Sequence, residues 1–221
     1  MSGGTTATAK IPRGEPRRCR RGRLPSSTSV RRIEAGLTRP AVGSPVSTSP
    51  DYGAVVYDLD GTLVRLAVDW DAATSDATAA FAEAGVDVAD ADLWSLFETA
   101  PGHGLADDVE SILASHERRG AERAARLPHA DRVPEWGVPV GVCSLNAESA
   151  CRLALDRHNL LDHVDAVVGR DSVATHKPDP EPLLTTIDRL GAEPSSALFV
   201  GDSERDAVTA ERAGVAFEWV E

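Results

Sequence analysis

The chain has 221 residues and a net charge of −12, long enough for one sizeable core and a small accessory body. The charge is unevenly placed: residues 1–50 carry ten Lys or Arg against Glu15 and Glu34, and the remainder carries 13 basic and 33 acidic side chains, a net −20. So acidic a body repels nucleic acid and anionic membranes, and no apolar run approaches the ~18 residues that span a bilayer.

Residues 1–50 are rich in Ser, Thr, Pro, Gly and Arg without apolar periodicity, which predicts a disordered basic tail. Two readings of it stay open, a basic arm for nucleic acid and an extension translated upstream of the functional start. Its Arg pairs lack the apolar segment of a secretory signal, so a cytoplasmic protein is expected. Cys19, Cys143 and Cys151 have no CxxC spacing, which implies neither a disulfide framework nor a zinc site. Only Lys10 and Lys177 are lysines. With the strong acidity this resembles proteins of a salt-rich cytoplasm, where self-repulsion is screened. Codon drift in a GC-rich genome produces the same bias.

The folded part starts with a buried strand over Gly53–Tyr57. Ala-rich helical patterns follow at Asp71–Gly85, with Gly85 as C-cap, and at Asp90–Glu98 and Leu105–Arg126. This block of about 60 residues has no strand-like run, so an all-helical insertion is expected over 68–131. From there strands and helices alternate. Strands are expected at Val138–Cys143, Ala166–Gly169, Ala197–Val200 and Val215–Trp219, with helices at Ala147–His158, Pro180–Leu190 and Glu204–Ala213. That alternation predicts βαβ units, a parallel sheet with helices on both faces and a core formed by 51–67 and 132–221.

Chemistry-bearing residues gather just beyond the predicted strands. Asp58-Leu59-Asp60-Gly61-Thr62 follows the first strand, Ser144 the second and Gly201-Asp202-Ser203-Glu204-Arg205-Asp206 the fourth; His176-Lys177-Pro178 precedes the last helix pair. The carboxyl edge of an open α/β sheet is where ligands bind. These strings resemble the DxDGT and GDxxxD motifs of the haloacid dehalogenase superfamily, and the resemblance covers Asp51 to the C-terminus. It implies a Rossmann-like core, a helical C1 cap inserted after the first core strand, and a Mg²⁺-dependent phosphoric monoester hydrolase similar to phosphoglycolate phosphatases.

The resemblance also assigns roles. Asp58 is the candidate nucleophile forming an aspartyl-phosphate, and Asp60 the general acid and base; an aspartate at that position selects phosphatases and mutases within the superfamily. Ser144 and Lys177 would bind and neutralise the phosphoryl group, with Gly61 and Thr62 beside it. Mg²⁺ would take side-chain oxygens of Asp58 and Asp202 and the backbone carbonyl of Asp60, with Asp206 completing the metal site by orienting a metal-bound water or a neighbouring ligand. The superfamily often has Asn directly after the second-motif Ser or Thr; here Leu145 intervenes, so the pattern does not assign Asn146.

Arg65, Asp69, Trp70 and His103 could line the entrance or serve packing and turns, and Trp94 and Phe97 read as cap core. His116, His129, His158 and His163 read as surface or packing residues. The expected partner is a small phosphorylated metabolite, with no membrane. The rival reading is a non-catalytic protein of the same fold that uses its basic tail to bind nucleic acid or a partner.

Overall fold

The computed structural model describes residues 52–88 and 90–220; the tail expected over residues 1–50 lies outside them. The first strand, β1 (Ala54–Tyr57), is buried at all four positions. That is what a Val-rich run covered on both faces of a parallel sheet requires. The chain then makes β2 (Val64–Arg65) and enters the insertion, α1 (Trp70–Glu83), α2 (Leu93–Thr99) and α3 (Ala106–Ala121), before β3 (Ala125–Arg126). Strands and helices then alternate through β4 (Val140–Cys143), α4 (Glu148–Arg157), β5 (Ala166–Val168), α5 (Glu181–Arg189), β6 (Ala197–Gly201), α6 (Glu204–Ala213) and β7 (Ala216–Trp219).

The five long strands pair in the order β5-β4-β1-β6-β7, every pair parallel. The fold is the Rossmann-like α/β class expected, with β1 at the centre. Side-chain alternation along each strand divides the core in two. Val55, Tyr57, Val142 and Val200 face Ala150, Cys151, Ala154 and Leu155 of α4. Ala54, Val56 and Phe199 face Leu183 and Ile187 of α5 and Ala210 of α6. Strand order reverses at β1: later strands add first on the β4 side and then on the β6 side. The loops leaving β1, β4 and β6 diverge there and open a crevice.

The insertion has a core of its own, with Ala77, Phe81, Leu96, Val109 and Leu113 buried together. Asp69 and Asp92 accept from Ala72 N and Ser95 N and so N-cap α1 and α2, satisfying amides that would otherwise lack partners. Gly85, with φ +76°, turns the chain after α1. Two expectations need correction. The helix expected to run to Arg126 ends at Ala121, where Arg123 N and Ala124 N turn to the Gly120 and Ala121 carbonyls three residues back, and Gly120 O also accepts from Ala67 N across the base of the insertion. The following Ala125–Arg126 pairs antiparallel with Val64–Arg65. This two-residue ribbon is too short to leave a period-2 signal in the sequence.

Candidate active site

The site is assembled at the carboxyl edge of the sheet. Asp58 follows β1 directly, and its amide donates to Val200 O of β6 at 2.9 Å. Gly61 then takes φ +93°, and a Cβ there would sit 2.0 Å from Asp202 Oδ2. Only glycine permits both that backbone angle and that approach, so it lets the β1 and β6 loops close on each other. The turn is completed by Asp60, whose Oδ1 accepts from Leu66 N at 2.8 Å.

Lys177 is the centre of the charge arrangement. Its Nζ donates to Asp58 Oδ1 at 2.7 Å, to Asp206 Oδ1 at 2.5 Å and to the Cys143 carbonyl at 3.2 Å, and the side chain is 2% exposed. The Phe199 ring lies 5.5 Å from Nζ. Asp206 is also the third residue of α6, where its Oδ2 and the Ser203 hydroxyl form a capping box. The α6 cap and the position of Lys177 are therefore set by one carboxylate. Oxygens of Asp58, Asp202 and Asp206 lie within 4.8 Å of one another.

Electrostatics follow from this crowding. Burial pushes the Asp58 carboxyl up to about 7, with Lys177 opposing and Asp206 adding to the rise. Burial likewise raises Asp60, against the Leu66 amide. Asp202 is raised by burial and then by Asp206. Burial alone would lower the Lys177 ammonium, but Asp58 and Asp206 outweigh it and hold the group above the usual lysine range. Three carboxylates around one ammonium leave an excess of negative charge among hard oxygen donors, a donor set that suits Mg²⁺.

Above this floor lies a cavity of about 580 Å³. Asp58, Asp60, Ser144, Lys177 and Asp202 line its base, and Trp70, Leu93, Trp94 and Leu113 of the insertion line its roof. Gly61 and Thr62, expected beside the substrate, are not among the lining residues. The turn at Gly61 sends Thr62 into the interior, where its hydroxyl has no hydrogen-bond partner among the described residues. His103 also stays off the cavity, with its ring 5.8 Å from Phe81. Arg65 is exposed and off the cavity, and Asp69 serves as a cap.

Phe97 packs against the insertion core as expected, and Trp94 stacks on it at 5.4 Å, but both also meet the core domain. Both rings pack edge-on to His176, at 5.0 and 5.9 Å, and the Arg205 guanidinium stands 4.8 Å from the Trp94 ring. Sequence reasoning also missed Arg170, Glu110 and Glu117. Arg170 forks onto Glu110 at 2.7 and 2.9 Å and onto Glu117 at 2.6 and 3.2 Å. Arg170 stands two residues beyond β5, so the strand-edge rule that found Ser144 could have found it. No spacing marks the glutamates.

Another pair lies inside the insertion, where buried His116 Nε2 meets exposed Asp76 Oδ2 at 2.7 Å. Cys143 and Cys151 are buried, and burial pushes the Cys143 thiol up to about 12; both act as small apolar residues. Among the described residues, no helix is long and apolar enough to cross a membrane.

Known proteins resemble this chain. The sequence profile described as "Haloacid dehalogenase-like hydrolase" matches residues 130–220. A phosphoglycolate phosphatase of Cereibacter sphaeroides is 36% identical over 183 residues, 74% of this chain and 82% of that protein. The chain belongs to the haloacid dehalogenase-like hydrolases. It is an enzyme of their phosphatase branch. A phosphoglycolate phosphatase of Rhodospirillum rubrum is 36% identical over 191 residues, 73% of this chain and 76% of that protein. A solved hydrolase of this superfamily, subfamily IA, from Geobacter sulfurreducens superposes with a TM-score of 0.51 at 26% identity, covering 75% of this chain and 88% of that one.

Proposed function

We propose that the protein is a Mg²⁺-dependent phosphatase that hydrolyses a small phosphomonoester, phosphoglycolate-like in size, through an aspartyl-phosphate on Asp58. The observation that carries the reading is the pair Asp58 and Asp60. They stand two residues apart at the end of the central strand and open into one cavity, with Lys177 Nζ 2.7 Å from Asp58. The relatives named phosphoglycolate phosphatase support the substrate class.

In the proposed sequence a carboxylate oxygen of Asp58 attacks phosphorus as the ester P–O bond breaks. Asp60, whose carboxyl burial raises, gives its proton to the departing alkoxide. Asp60 then takes a proton from a water, and that water attacks the phosphorus of the aspartyl-phosphate, releasing phosphate and restoring Asp58. Ser144 donates to a phosphoryl oxygen, and Lys177 supplies a compact positive charge that follows the transferring group. Asp58, Asp202 and the Asp60 carbonyl would hold Mg²⁺, with Asp206 keeping Lys177 in place. The bound ion offsets the charge of an anion approaching a phosphate dianion. The helical segment 68–131 acts as a cap: its roof of Trp70, Leu93 and Trp94 excludes water from the reacting centre.

The test is phosphate release from phosphoglycolate and from a panel of small phosphomonoesters, with and without Mg²⁺. Wild-type protein is expected to release phosphate only with the ion. Substantial release by purified, folded Asp58→Asn would sink the covalent mechanism.

A further inference from the structure

α4 begins behind Ala147, which has no side chain to cap the free amides of the first turn. The caps come from elsewhere. Asp171 Oδ1 accepts from Glu148 N at 2.7 Å, and Glu117 Oε2 accepts from Ala147 N at 2.9 Å. Glu117 belongs to α3 of the insertion and is 1% exposed. Gly169 closes the loop from below, where a Cβ would lie 2.2 Å from Glu148 N.

The second oxygen of Glu117 reaches further into the site. Oε1 accepts from Asn146 Nδ2 at 3.3 Å. Asn146 in turn accepts the Ser144 hydroxyl at its Oδ1, 3.1 Å away, and returns its backbone N–H to Ser144 Oγ at 3.2 Å. A carboxylate bound to Arg170 can only accept hydrogen bonds, so the Asn146 amide must turn its nitrogen to Glu117 and its oxygen to Ser144. All four residues are buried: Ser144, Asn146, Glu117 and Arg170.

We propose that Glu117 is a positioning residue for the phosphate-binding loop. Carried on the insertion, it caps α4 and orients Asn146, and through Asn146 it fixes Ser144 Oγ beside the phosphoryl site, the hydroxyl proton resting on Asn146 Oδ1 until a phosphoryl oxygen takes it. Docking of the insertion and formation of the loop 144–147 are then one event. The role of Ser144 rests on the phosphatase reading; the mechanical link from Glu117 to the loop does not.

Glu117→Gln tests this, because it keeps the volume and turns one acceptor into a donor facing Asn146 Nδ2. The KM for a phosphomonoester and the inhibition constant of inorganic phosphate should rise together, about tenfold for one displaced hydrogen bond. The kcat should stay within about threefold, the mark of lost uniform binding. Amide exchange at Asn146 and Ala147 should accelerate about tenfold while that of β1 and β6 holds.

Asn146→Ala should reproduce the rise in the phosphate inhibition constant with the Glu117–Arg170 pair intact. The double variant should be no worse than the larger single, since both act on one link. An unchanged phosphate inhibition constant in folded Glu117→Gln, or single effects that add, would overturn the proposal. If the wild-type protein cleaves no phosphomonoester, the phosphatase reading has failed on its own. Exchange at Asn146 and Ala147 still decides the link, and unchanged rates in Glu117→Gln would overturn it.

Discussion

Two buried clusters share one composition, a cation between two carboxylates. In the first, Lys177 lies between Asp58 and Asp206 at 2.7 and 2.5 Å. In the second, Arg170 lies between Glu110 and Glu117 at 2.7 and 2.6 Å. Both cations are almost wholly enclosed. The difference is in the donors. The guanidinium fork reaches both oxygens of each glutamate and locks α3 of the insertion to the loop after β5. The ammonium engages a single oxygen of each aspartate and is a compact charge on a flexible stem. Equal charge counts therefore differ in hold: the forked pair fixes two bodies together, and the point charge leaves the second oxygen of Asp58 unengaged by it, as the proposed attack on phosphorus needs.

The largest effect expected is at the Lys177 cluster. Asp58→Asn and Asp60→Asn should each lower turnover by at least about a thousandfold, because they remove the proposed nucleophile and the proposed proton-transfer group. Steady-state kinetics on folded protein check this, and a loss of less than about tenfold in Asp58→Asn would end the distinction drawn between the two clusters.

Exchanging the cations probes the difference directly. Lys177→Arg keeps the charge but brings a planar fork into a space shaped for an ammonium, and should cost about a hundredfold in turnover. Raising Mg²⁺ should not rescue Lys177→Ala. Near-normal turnover in Lys177→Arg would mean that this cluster needs only diffuse charge.

At the forked cluster the effect should fall on stability. Arg170→Met leaves Glu110 and Glu117 facing each other without a counter-charge, and breaking a buried pair in this way costs about 3–5 kcal/mol. Denaturant unfolding measures it. A loss under about 1 kcal/mol would show that the pair contributes no more than a surface bridge.

The smallest effect expected is one of pH. Burial holds Asp58 at about 7 in the folded chain against 3.8 for a free side chain, so the metal-free folded state binds the extra proton between those values. Its stability from this group is then full below the lower value and declines as pH rises toward 7. Mg²⁺ bound as proposed would compete with that proton. The rise in melting temperature on adding Mg²⁺ should be a few degrees at pH 8 and near zero at pH 5. An equal rise at both values would place the ion away from Asp58.

Much of this was legible in the chain. The apolar run ending at Tyr57 gave the central strand, and strand–helix alternation after residue 138 gave the parallel sheet, because burial on both faces forces such runs. Strand ends followed by Asp58, Ser144 and Asp202 marked the residues that line one cavity, since the chain must leave a parallel sheet at that edge. The boundary of α3 was missed, because the chain there is held by pairings to distant residues, Gly120 O accepting from Ala67 N and Ala125–Arg126 pairing with Val64–Arg65.

The sequence by itself determined the fold class, the strand that bears Asp58, and the chemistry offered by Asp58, Asp60, Ser144, Lys177 and Asp202. These are local properties: period, turn chemistry and the acid–base character of neighbouring side chains. Only the tertiary structure decided that Thr62 turns inward, that Trp94 faces the core domain, and that Glu117 reaches Asn146. The first follows from the close approach of the β1 and β6 loops at Gly61; the other two depend on how the insertion lies over the sheet edge. A contact between α3 and the loop after β4 leaves no period or spacing in the chain, because its two halves lie about thirty residues apart and meet only once both bodies have packed.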